Sequence, residues 1–84
     1  MKCNRITMPT LIRQDGFDVR MYFDDHDPPH VHVFKAGGQA KIAIDASPSL
    51  ILVQGMNSKE AKAALRVVTQ HQTHLLEKWQ EYHG

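Results

Sequence analysis

The stretch His30-Val31-His32-Val33-Phe34-Lys35-Ala36-Gly37-Gly38-Gln39-Ala40-Lys41-Ile42-Ala43-Ile44-Asp45 decides the fold. Residues of one face alternate with residues of the other on both sides of a glycine pair. That period of two belongs to strands with one buried face. Gly37 and Gly38 tolerate the positive φ angles of a primed two-residue turn, so residues 30–36 and 39–45 are expected to form an antiparallel hairpin. This register sets Val33 opposite Ile42 and Val31 opposite Ile44 on the core face. On the other face it sets Phe34 opposite Lys41, His32 opposite Ala43 and His30 opposite Asp45. His30 thereby gains a carboxylate neighbour, and His32 a small one.

Upstream, residues 10–13 and 17–23 flank Gln14-Asp15-Gly16, and Asp-Gly favours the same kind of tight turn. With Asp15 and Gly16 as the loop, Ile12 pairs with Val19 and Arg13 with Asp18, one apolar pair and one of opposite charge. Phe17, Val19, Met21 and Phe23 form the buried parity; Arg20 and Tyr22 belong to the polar one. Downstream, Ser47-Pro48 punctuates a connector in which residues 50–53 read as a short strand or buried turn. Asn57 is a good helix N-cap, and Glu60 three residues later completes a capping box. Ala61, Ala64, Leu65, Val68, Leu75, Leu76 and Trp79 then recur at helical spacing. The expected architecture is α+β: an antiparallel sheet of four or five strands, built on two tight hairpins and packed against one long C-terminal helix. Residues 8–84 are assigned to this single domain, and residues 1–7 to a flexible N-terminal extension.

Composition narrows the class of protein. Eighty-four residues with 42% apolar content supply one core. A chain of this size buries only about 60% of the surface its unfolded form exposes, which makes a partner or homo-oligomer a natural source of further stability. A net charge of +1 gives no field that would by itself imply nucleic acid. Cys3 is the only cysteine and cannot form an internal disulfide. No apolar run approaches the roughly 18 residues of a membrane span, and the N-terminal residues lack the apolar core of a signal peptide. A cytoplasmic location is therefore expected.

Six histidines are the departure from ordinary composition. Three of them, with Asp24, Asp25 and Asp27, crowd residues 24–32. Pro28 and Pro29 fix their own φ and stiffen the approach to the strand. His30 and His32, two apart, project from one face. Two chemical readings follow. In one, His30 and His32 with His26 or Asp45 hold a divalent metal such as zinc, a carboxylate orienting an imidazole. In the other, His30 and His32 act without metal as catalytic acid and base on a phosphodiester, with Arg20 and Tyr22 binding the anion. A third, plainer reading makes them an exposed sheet face beside a stiff loop, held by structural hydrogen bonds. His71 reads as a core-edge residue, His74 as solvated, and Lys59, Lys62 and Arg66 as a solvated helix flank. Trp79 reads as the core anchor.

Met8-Pro9-Thr10, Gly16-Phe17, the run Asp25-His26-Asp27-Pro28-Pro29-His30-Val31-His32-Val33, the Gly37-Gly38 hairpin with Ala40-Lys41, and Glu60, His71 and Trp79 together resemble a small bacterial family. That family is known as a domain of unknown function and is marked by a D-H-x-P-P-H-V-H-V motif. The resemblance runs from Met8 to Gly84, and its pattern transfers to His26, Pro28, Pro29, His30, His32, His71 and Trp79. His83 stands where an aromatic residue is more usual. The resemblance brings no settled catalytic activity. It implies a toxin–antitoxin-like or regulatory component encoded beside a second small protein, which would be its partner. The leading expectation is thus a module acting through its histidine-rich sheet face by protein contact. The alternative is a histidine-dependent ribonuclease or phosphodiesterase, for which RNA would be the substrate.

Overall fold

The computed structural model describes residues 10–22 and 26–83. Residues 1–7, expected to be an extension, lie outside the described residues, as do Phe23, Asp24, Asp25 and Gly84. Five strands, β1 (Thr10–Gln14), β2 (Phe17–Arg20), β3 (His30–Lys35), β4 (Gly38–Ala43) and β5 (Ser49–Gln54), precede two helices, α1 (Ser58–Gln70) and α2 (Gln72–His83). The strands form one antiparallel sheet in the order β1-β2-β3-β4-β5. Each strand thus pairs with its neighbour in sequence.

The first hairpin has the register its turn dictates. Ile12 faces Val19 and Arg13 faces Asp18, around Asp15 and Gly16 at φ 56° and 81°. The second hairpin differs from the expected one. Its loop is Ala36-Gly37, at φ 48° and 84°, and Gly38 begins β4. A Cβ on Gly38 would lie 2.4 Å from the carbonyl oxygen of Gly55, so no side chain fits there. That close approach claims Gly38 for the strand, and the turn moves back by one residue. The register consequently shifts by two: Val31 pairs with Ile42, His32 with Lys41, and His30 with Ala43 instead of Asp45. An even shift preserves the faces, so the core parity is unaffected. Asp45 lies beyond β4 and is exposed.

Phe17, Val19, Met21, Val31, Val33, Ala40, Ile42 and Ile44 from the sheet meet Ala64, Val67, Val68, Leu75 and Trp79 from the helices in one apolar cluster. Asn57 caps α1 through the reciprocal bonds expected of its capping box: its Oδ1 accepts from the Glu60 N–H at 2.8 Å. The expected single helix is two. At His71, φ −117° and ψ 16° interrupt the helix, and the His71 N–H turns to the Val68 carbonyl at 3.1 Å. The Thr69 hydroxyl also donates back to the Leu65 carbonyl at 2.7 Å, a bond that bends helices. Immediately after the break, the Gln72 amide donates to the Ile44 carbonyl at 2.8 Å and to that of Ala46. The start of α2 is thereby fastened to the end of β4. No helix among the described residues is long and apolar enough to cross a membrane.

Candidate functional site

The site is assembled where β3 begins. The Asp27-Pro28 peptide is cis, and the Pro29 carbonyl accepts from the Ile44 N–H at 3.0 Å, extending the β3–β4 pairing into the loop. His30 follows and is only 4% exposed. Its Nδ1 lies 2.8 Å from the Pro28 carbonyl. A carbonyl only accepts, so Nδ1 carries the proton and donates, which fixes the ring's orientation. His30 is therefore held by the proline-stiffened loop that precedes it.

Around His30 the rings form a continuous series. The His30 and His32 centroids lie 5.1 Å apart, with planes at 71°. Tyr22 meets His32 edge-on at 4.6 Å. On its other side His30 lies 5.5 Å from Trp79, and Trp79 stacks on His83 at 3.8 Å and 19°. His83 then returns to the beginning: its Nε2 sits 3.0 Å from the Tyr22 carbonyl, while its Nδ1 sits 3.0 Å from the Trp79 carbonyl. A neutral imidazole can donate to one of these oxygens and an imidazolium to both. The stacked imidazole supplies the flat face that an aromatic residue would, and its nitrogens tie α2 to the segment after β2.

His32 is half-buried, and its cross-strand neighbours are Arg20 on β2 and Lys41 on β4. Arg20, His32 and Lys41 make a row across the face opposite the apolar core. The adjacent row holds Asp18, Phe34 and Gln39. The Arg20 guanidinium donates to Asp18 at 2.7 Å and lies over the Phe34 ring at 5.5 Å. Arg13 is a second, looser partner of Asp18 at 3.8 Å. The Arg20 hydrogen bond, aided by the Thr10 side chain and the charges of Arg20 and Arg13, holds the Asp18 carboxyl below its ordinary value against the opposing effect of burial. The same pairing raises Arg20.

The expected site residues thus fall into two groups. His30, His32, Arg20 and Tyr22 come together. His26 is exposed in the loop, Asp45 is exposed beyond β4, and His71 bonds through Nε2 to the Gln14 amide oxygen at 2.9 Å, at the junction of the helices. Among the described residues, no three His, Cys, Asp or Glu side chains converge as a metal site. Sequence reasoning missed the contribution of His83. The signal available was its spacing of four from Trp79, which places both on one helix face.

A family model, domain of unknown function (DUF4160), matches residues 16–80. No curated protein and no solved structure matches the chain.

Proposed function

We propose, for a chain that belongs to the family of the domain of unknown function DUF4160, a regulatory, toxin–antitoxin-like role exercised through protein contact. The contact surface is the sheet face centred on His32. The observation that carries this reading is the row Arg20–His32–Lys41, bordered by Tyr22 and Phe34, on the face that the helical core leaves uncovered among the described residues. Tyrosine and arginine are the side chains that most often anchor protein interfaces. Two fixed cations and an imidazole beside one ion-paired carboxylate favour an acidic segment on the partner. His30 serves as the support. Locked to the Pro28 carbonyl and packed against Trp79, it holds His32 in place without itself meeting solvent.

The alternative, ribonuclease or phosphodiesterase chemistry by His30 and His32, asks both imidazoles to exchange protons with a substrate. The 4% exposure of His30 favours the contact reading over it. Co-expression with the small protein encoded next to this gene tests the choice. The two should purify as a complex, and His32→Ala or Tyr22→Ala should each weaken it about thirtyfold, the scale of a hot-spot truncation. A protein that purifies alone, while its overexpression degrades RNA in a His32-dependent way, would replace contact with catalysis.

A further inference from the structure

Strand β5 is exposed at all six positions, including four consecutive large apolar residues: Leu50 at 38%, Ile51 at 48%, Leu52 at 48% and Val53 at 36%. It is an edge strand whose outer side has no neighbour in the sheet among the described residues. Monomeric proteins usually blunt such edges with charge, proline or a bulge. Here β5 has a bulge, Pro48 stands before the strand rather than in it, and no charge lies on it. The opposite edge does carry charge, since Arg13 on β1 is 76% exposed and ion-paired to Asp18. Residues 46–58 contain no charged side chain. The two edges are therefore built differently.

We infer that β5 pairs antiparallel with β5 of a second copy of this chain, about a two-fold axis perpendicular to the sheet between Ile51 and Leu52. The polarity pattern of Ser49-Leu50-Ile51-Leu52-Val53-Gln54 reads the same in both directions. In this register Ser49 faces Gln54 of the second copy, Leu50 faces Val53, and Ile51 faces Leu52. Polar meets polar and apolar meets apolar, with no like charges brought together.

The faces agree as well. Residues opposite one another in an antiparallel pair share a face, and a perpendicular two-fold keeps the helix-covered faces of both copies on one side. Leu50 and Val53 are an odd number of positions apart, so in a regular strand they would point to opposite faces. Here the register slips between Lys41 and Ile42, so that Leu50 pairs with Ile42 and Val53 with Ala40. Ile42 and Ala40 both belong to the core. The bulge thus brings Leu50 and Val53 to the helix-covered face. Ser49 and Gln54 pair with Ala43 and Gln39, on the other one. A strand in which Ser49, Leu50, Val53 and Gln54 match their counterparts in polarity and in facing is suited to isologous pairing, which closes at two copies because each contributes this one apolar edge. The product is one continuous sheet from two five-stranded ones. This surface is distinct from that around His32, and the inference does not rest on the contact proposed there.

Sedimentation velocity of the full chain over a range of concentrations reads the state directly. The wild type is expected to sediment as a dimer, and Leu52→Lys and Ile51→Glu each as a monomer with unchanged far-ultraviolet circular dichroism. An equimolar mixture of the two variants should restore a dimer, because the register sets position 52 of one chain against position 51 of the other. A wild type that stays monomeric throughout, as it would if the edge served a foreign strand, overturns the inference. So does a dimer indifferent to both substitutions, or a mixture that fails to re-form one.

Discussion

Asp18 sits between two guanidinium groups, bonded to Arg20 at 2.7 Å and approached by Arg13 at 3.8 Å. Its carboxyl is held below the ordinary value of 3.8. For a carboxylate depressed in the folded state, the linked stability is fully present above the unfolded value and is lost as pH falls through the folded one. The Asp18 contribution should therefore persist down to about pH 4 and disappear in more acid solution. Asp18→Asn should lower the melting temperature at pH 6 slightly, in keeping with the roughly 0.2–1 kcal/mol of a part-exposed ion pair. It should also narrow the gap between wild type and variant at pH 3. Equal gaps at the two pH values would show that Asp18 contributes nothing through its charge. The residue matters beyond its own pair because it orients Arg20 beside His32.

The turn between β3 and β4 shows how a local element answers to a distant one. Ala36 occupies the left-handed region at φ 48°, a conformation that costs a side chain roughly 1–2 kcal/mol relative to its usual well. It does so because Gly38 is needed where the backbone of Gly55 passes. Ala36→Gly removes that strain but adds freedom to the unfolded chain. The net expectation is a stabilisation of about 0.5–1 kcal/mol, read from the denaturant midpoint at unchanged slope. A lower midpoint would mean that the loop is not strained at Ala36. The first hairpin was legible because Asp15-Gly16 offers one turn and the flanking pairs agree with it. The second offers two glycines in a row, and the choice between them is made by Gly55, which no local pattern reveals. The helix break was hidden for a related reason: Val68 and Leu75, on either side of His71, remain in phase, so the apolar stripe runs through the interruption.

At the scale of the whole molecule, the fold class and the facing of β2, β3 and β4 follow from the alternation of apolar residues, whereas β5, with four apolar residues in a row and a bulge, does not show its facing in sequence. The slip of two in register left both untouched. The pairing of His30 with His32 survived for that reason, and the acidic neighbour of His30 did not. What period and spacing could not provide is the far side of the site. Trp79 reaches His30 from α2, and His83 closes the series of rings back to Tyr22. Such contacts depend on where the end of the chain is carried, which the helix break at His71 and the anchoring of Gln72 decide. The resulting molecule has a helix-covered face and a face of cations and rings, joined at His30. The proposed contact role requires the second face to be the working surface. Amide chemical-shift mapping of the isotopically labelled protein, titrated with the small protein proposed as its partner, tests that most directly. Perturbations centred on Arg20, Tyr22, His32 and Lys41 are predicted; perturbations confined to the helix flank of Lys59, Lys62 and Arg66, or none at saturating partner, would contradict it.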